Sequence, residues 1–225
     1  MREIDLIVTD LGGTLVKTDD AIMAAVRRAV EEFGIPEGHH DPVYEVFGTS
    51  IWEYVHAYLP EGHKGRTDEC HERFWELFPF GVLDQITPFA GVEMALRDLK
   101  GRGVRLAVLS GLRLGAIESI LSTLEFSRWD AVRSSMMYPT ESGDSRAKGI
   151  TALVEEFAVP PERTIYVGDT DHDVRQAKKA GVLAAAVKTG GQAVKHLQKI
   201  EAEAPDHLLD SWPDLRGIVK ATDPE

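Results

Sequence analysis

Ile4-Asp5-Leu6-Ile7-Val8-Thr9-Asp10-Leu11-Gly12-Gly13-Thr14-Leu15 opens the chain with an apolar run that stops at an aspartate and two glycines. A short run rich in Ile, Leu and Val and bounded by turn residues reads as a buried strand. A second run, Thr164-Ile165-Tyr166-Val167, ends in Gly168-Asp169-Thr170-Asp171-His172-Asp173. Helical spacing follows at once, through Val174, Ala177 and Ala180. Near-continuous apolar strands separated by helices predict an α/β core, a doubly wound, Rossmann-like parallel sheet covered on both faces. Ligands of such sheets bind beyond the carboxyl ends of the strands. Acidic groups at those ends suit a divalent cation held against a phosphate.

The same alternation continues outward from these two stretches. Between residues 87 and 215 it predicts a helix over Val92–Lys100, a strand over Val104–Leu109 ending in Ser110-Gly111, and a helix over Leu114–Leu124. A strand near Asp130–Ser134, a helix from Gly149 to Phe157, and strands over Leu183–Val187 and His207–Leu209 complete it. Residues 17–86 read differently. One amphipathic helix carries Ile22, Ala25, Val26, Ala29, Val30 and Phe33, and aromatic-rich helical pieces follow with Tyr44, Phe47, Trp52, Tyr54, Tyr58, Phe74, Trp75 and Phe78. The division predicted is therefore a core of residues 1–16 and 87–225 with an inserted α-helical cap at 17–86.

The bulk composition narrows the function classes. At 225 residues and 43% apolar content the chain is large enough for a real core plus an insert. A net charge of −12 argues against nucleic acid or a membrane surface as partner, since both require a basic face. The lone Cys70 excludes an internal disulfide and suits a reducing compartment. Met1-Arg2-Glu3 runs straight into a strand with no secretory pattern, and no apolar run is long enough to span a bilayer. The expectation is a cytoplasmic protein acting on a small molecule.

Four features in order, Asp10 with its glycines, Ser110, a cation near 146–148, and Gly168–Asp173 with its following helix, resemble the haloacid dehalogenase superfamily with a helical, C1-type cap, on its phosphatase and phosphonatase-like branch. The resemblance implies that Asp10 is a nucleophile that attacks phosphorus and forms an aspartyl-phosphate. It implies Mg²⁺ as cofactor, held by Asp10, the backbone carbonyl of Gly12, Asp169 and Asp173. It also implies a phosphate cradle of Gly12, Gly13, Thr14, Ser110, Gly111 and Lys148, with Asp10, Ser110 and Lys148 as the catalytic set. Lys148 reads as the residue opening a helix, and Arg146 competes for its place. Asp171 adds a carboxylate that reads as a local hydrogen-bonding group only.

The sequence departs from the family at Gly12, where an aspartate normally protonates the leaving oxygen and later activates water. General acid–base groups contribute about 10²–10⁴-fold, so the resemblance implies a Mg²⁺-dependent phosphatase of a small phosphorylated metabolite, slowed by this glycine. Phosphonoacetaldehyde hydrolases also lack that aspartate but use a cap lysine. Here the matching stretch, Phe47-Gly48-Thr49-Ser50-Ile51-Trp52, has none, and apart from Lys17 in the linker the cap's lysine is Lys64. A C–P hydrolase and a non-turnover protein that binds a phosphorylated ligand stay open as alternatives. The cap's His39, His40, His56, His63 and His71 are candidates for a substitute acid, and Trp52 for a substrate contact.

Overall fold

The computed structural model describes residues 2–39, 43, 45–46, 49–141 and 143–220, without the side chains of residue 2 and residues 191–196. His40, Tyr44, Phe47 and Gly48 lie outside the described residues. The chain divides into two compact units, residues 1–17 with 88–225, and residues 18–87.

The first unit is built on six parallel strands: β1 (Leu6–Thr9), β2 (Arg105–Ser110), β3 (Ala131–Ser134), β4 (Thr164–Gly168), β5 (Leu183–Val187) and β6 (His207–Leu209), in the order β3-β2-β1-β4-β5-β6. β1 sits between β2 and β4, with Leu6 opposite Arg105 on one side and Thr164 on the other. Every residue of β1 and β4 is buried. That explains why both strands read as continuous apolar runs rather than alternating ones. The strand order reverses between β1 and β4, which makes their carboxyl ends the topological switch point where open α/β sheets bind ligands.

Helices cover the sheet. Leu6, Val8, Ala107, Leu109, Tyr166, Ala184 and Ala186 share one face and pack with Ile150 and Leu153 of α6 (Ser145–Phe157) and Val174 and Ala177 of α7 (Asp171–Lys179). Further core helices include α4 (Val92–Gly101), α5 (Leu114–Leu121) and α8 (Gly191–Ala202). The strands at Leu183–Val187 and His207–Leu209 lie where the sequence placed them. Helix α6 does not: it starts at Ser145, four residues before the predicted Gly149. The early start follows from a polar staple, since Gln176 of α7 accepts the Ala147 N–H at 2.9 Å and donates to Asp144 at 3.3 Å. A side chain remote in sequence thus satisfies the open amide of the first turn.

The second unit is helical, with α1 (Asp19–Glu31), α2 (Ile51–Tyr58) and α3 (Thr67–Leu77). Ala25, Val26, Ala29 and Val30 of α1, Val55 and Tyr58 of α2, and Phe74 of α3 are buried. Phe74 and Phe78 stack with centroids 5.1 Å apart. Most of its aromatics are therefore the unit's own core. Helix α2 begins with a reciprocal capping box between Ser50 and Glu53.

Candidate active site

Asp10 leaves β1 still held by the sheet, because its N–H donates to the Val167 carbonyl of β4 at 2.9 Å. The chain then turns sharply: the Gly13 N–H reaches the Val16 carbonyl at 2.9 Å, and the Leu15 N–H reaches that of Leu11 at 2.8 Å. Gly13 takes φ +74°, a left-handed conformation that favours glycine. The turn delivers the Thr14 hydroxyl to Asp169 Oδ1 at 2.9 Å. One oxygen from each of Asp10, Asp169 and Asp173 lies within 4.8 Å of the others, and all three residues are buried.

Asp173 is the most heavily bonded of the three. Its Oδ2 accepts from the Thr170 N–H at 3.1 Å and the Thr170 hydroxyl at 2.6 Å, which is also the capping box that starts α7. Its Oδ1 accepts from the Tyr166 hydroxyl at 3.2 Å and from the Arg146 guanidinium. The same guanidinium lies 3.9 Å from Asp10 Oδ2.

Lys148 is not part of this cluster, and the expectation that it supplies the site's cation is corrected by the geometry. Because α6 starts at Ser145, Arg146, Ile150 and Leu153 fall on its buried face at helical spacing, while Lys148, Thr151 and Glu155 fall on the exposed one. Arg146 is buried and Lys148 is exposed. A Cβ at Gly149 would touch Leu109 at 2.9 Å, so this glycine lets α6 close onto β2 and brings Arg146 to the strand ends. Asp171 pairs with Arg175 at 2.5 Å instead of joining the carboxylate cluster.

The electrostatics follow from this packing. Burial raises the Asp10 carboxyl from 3.8 to about 6, against opposing pulls from Arg146, the Leu11 amide and the Ser110 hydroxyl. Burial also works against ionised Asp173, but Arg146 and Thr170 outweigh it and hold that carboxyl below its ordinary value. Burial disfavours the charge on Arg146, yet Tyr166, Asp10 and Asp173 keep it raised well above the usual range. Burial pushes the Tyr166 phenol up as well, so it stays protonated and donates.

These residues fit a hard divalent cation. The donor set is oxygen only, and Asp10 Oδ1 is buried without a protein hydrogen-bond partner. A buried carboxylate oxygen left unbonded beside two further acids is costly unless a cation completes it. Ser110, at the end of β2, is buried beside Asp10, and Gly111 follows it with the Arg146 guanidinium 3.5 Å from the position a Cβ would take. Gly12 is partly buried and bridges to Val16 in the turn.

The reading of the sequence missed Tyr166, which looked like any core residue of an apolar strand. Only the sheet face it shares with α7 reveals that its hydroxyl meets Asp173. In the helical unit, two of the candidate histidines have local bonds. His56 Nδ1 bonds Thr67 Oγ1 at 2.9 Å and its ring stacks on Trp52 at 4.9 Å, while His71 Nε2 accepts from Trp75 at 2.9 Å. Trp52 is part-exposed and donates to Asp68 at 2.7 Å. Lys64 bonds the His56 and Ala57 carbonyls at the end of α2, a helix-capping job.

Comparison with known proteins yields a consistent set of similarities. The sequence profile of the haloacid dehalogenase-like hydrolases matches residues 7–187. A phosphoglycolate phosphatase of Pseudomonas putida is 28% identical over 222 residues, covering 95% of this chain and 78% of that protein. A pyrophosphatase of Halalkalibacterium halodurans is 25% identical over 226 residues, covering 96% and 97%. Among solved structures, a predicted phosphoglycolate phosphatase of Haemophilus somnus shares the fold with a TM-score of 0.83 at 18% identity, covering 97% of this chain and 99% of that one. Among the described residues, no helix is long and apolar enough to cross a membrane.

Proposed function

This chain belongs to the haloacid dehalogenase-like hydrolase family and is a hydrolase of phosphoesters, and we propose that it acts on a small phosphorylated metabolite through an aspartyl-phosphate on Asp10. The observation that carries this reading is the buried Asp10 carboxylate, whose Oδ1 has no protein hydrogen-bond partner and whose Oδ2 lies 3.9 Å from Arg146. An attacking oxygen needs a free lone pair and a neighbourhood that tolerates negative charge. Asp10, the Gly12 carbonyl, Asp169 and Asp173 are the residues that would hold Mg²⁺. When bound, the cation cancels the repulsion between the Asp10 carboxylate and an anionic phosphate.

The chain's own residues do the rest. One oxygen of the Asp10 carboxylate attacks phosphorus while the bond from phosphorus to the leaving oxygen breaks, and that leaving oxygen departs with the electron pair. Ser110, Gly111 and the backbone at Gly12 and Thr14 would meet the phosphoryl oxygens, while the Gly13 N–H and the Thr14 hydroxyl, bonded to Val16 and Asp169, hold the turn in shape. Arg146 offers a permanent, forked positive charge. Thr170, the N-cap of α7, and Tyr166 of β4 keep Asp173 pointed inward. The helical unit is the cap of this reading, and the setting is cytoplasmic.

Gly12 shapes the substrate preference. With no carboxyl at that position to protonate an alkoxide, leaving groups that are stable as anions react faster. One relative is named for phosphoglycolate, an alkyl ester, and another for pyrophosphate, an anhydride. The leaving-group argument favours the anhydride and acyl phosphate class. Water must then release phosphate from Asp10 without a base at position 12, which slows the second step.

The test is Mg²⁺-dependent phosphate release from an aryl phosphate by the protein and by Asp10→Asn. Turnover that vanishes in the variant supports the reading, and turnover that survives in it sinks the nucleophile assignment.

A further inference from the structure

We infer that Gly190 is a positioning residue for Asp169, a glycine because its Cα closes directly on the carboxylate; the inference rests on the cation site proposed above. Gly190 follows β5 and has φ −67° and ψ 144°, a conformation open to any residue. Its glycine is therefore there for space, not for backbone freedom. A Cβ on Gly190 would lie 2.3 Å from Asp169 Oδ2 and 2.6 Å from the Gly13 carbonyl oxygen, closer than packed atoms tolerate.

Gly13 closes on the same oxygen from another segment, since a Cβ there would also lie 2.3 Å from Asp169 Oδ2. Thr14 takes the other oxygen, Oδ1, at 2.9 Å. β4 runs between β1 and β5, so the turns after both neighbours fence the residue that follows the middle strand. The fence has an electrostatic reason. Three buried carboxylates whose oxygens come within 4.8 Å repel one another, and an unrestrained one would swing away or take up a proton. Groups that orient metal ligands from behind typically change affinity or activity about 10–100-fold when altered.

The experiment is Mn²⁺ binding to the full chain, followed by electron paramagnetic resonance, in wild type, Asp169→Asn, Gly190→Ala and Gly217→Ala. Gly217 has open space around its Cα and serves as the control. Binding in Gly190→Ala is expected to be at least about ten-fold weaker than wild type, with Gly217→Ala unchanged. Equal affinity in Gly190→Ala and wild type overturns the inference. A double-mutant cycle in urea, without cation, separates positioning from general damage. The destabilisation by Gly190→Ala shrinks in an Asp169→Ala background if the clash is with the carboxylate. It stays the same if Gly190 only makes room for the Gly13 backbone, and that result also overturns the inference. Wild type that fails to bind Mn²⁺ sinks the cation site itself, while the cycle still decides whether Gly190 holds Asp169.

Discussion

The Arg146 guanidinium donates to Asp173 Oδ1 and stands 3.9 Å from Asp10 Oδ2, so one buried cation serves two of the three clustered carboxylates. The arrangement places one buried positive charge between Asp10, the nucleophile of the proposed reaction, and Asp173 in the first turn of α7. An arginine here stays charged at every working pH, which a lysine in the same place would not.

Arg146→Ala is expected to cut turnover more than about 100-fold, as expected on removing a fixed charge that stabilises the reacting phosphoryl group. It also leaves Asp173 buried without its ion pair, at about 3–5 kcal/mol of stability. Lys148→Ala, on the exposed face of α6, is expected to change turnover less than about two-fold and stability by less than about 0.5 kcal/mol. Steady-state assays and urea midpoints on the pair of variants check both statements. A larger effect from Lys148 than from Arg146 would reverse the assignment.

Asp10 ties stability to pH with a definite sign. Its folded carboxyl titrates at about 6 against 3.8 unfolded, so the folded state holds the proton more tightly. Stability is therefore lost as pH rises from about 4 through 6, by a few kcal/mol at most. Asp173 contributes the opposite sign, with stability present at neutral pH and lost under acid conditions. Asp10→Asn is expected to be more stable than the parent near neutral pH without cation, with the advantage fading below about pH 4. Urea melts across that range measure it, and an advantage independent of pH would contradict the burial argument.

The proposed reaction needs ionised Asp10, so the acid limb of the pH–rate profile is expected to move to lower pH as Mg²⁺ is raised. A cation near the carboxylate favours its charged form. A limb that ignores Mg²⁺ would mean that another group controls it.

Gly12→Asp is expected to raise turnover of an alkyl phosphate by about 10²–10⁴-fold and that of an aryl phosphate less, because the alkyl ester gains a proton donor for the first step as well as the base for the second. Parallel initial rates on the two substrates give the ratio. Equal gains would place the role of position 12 in the hydrolysis of the aspartyl-phosphate rather than in its formation.

Tyr166→Phe removes one hydrogen bond to Asp173 and is expected to cost about 1 kcal/mol. The remaining bonds from Thr170 and Arg146 keep Asp173 in place, so turnover falls only a few-fold. A loss as large as that of Arg146→Ala would give the phenol a larger part.

The sequence by itself determined the class of fold and the strand ends that matter. Leu6–Thr9 and Thr164–Gly168 are buried throughout and mostly apolar because both faces of the sheet are covered, and that signal is local and strong. The same local reading picked out Asp10 and Asp169, since an acid after a buried strand stands apart from its neighbours. Only the tertiary structure decided which cation meets Asp10. Arg146 and Lys148 are two residues apart, and their fate depends on where α6 begins, which Gln176 and Asp144 settle from across the unit. It alone also decided that Tyr166 bonds Asp173 and that Gly190 closes on Asp169. Those contacts join segments distant in the chain, and no periodicity or spacing within one segment encodes the distance between two.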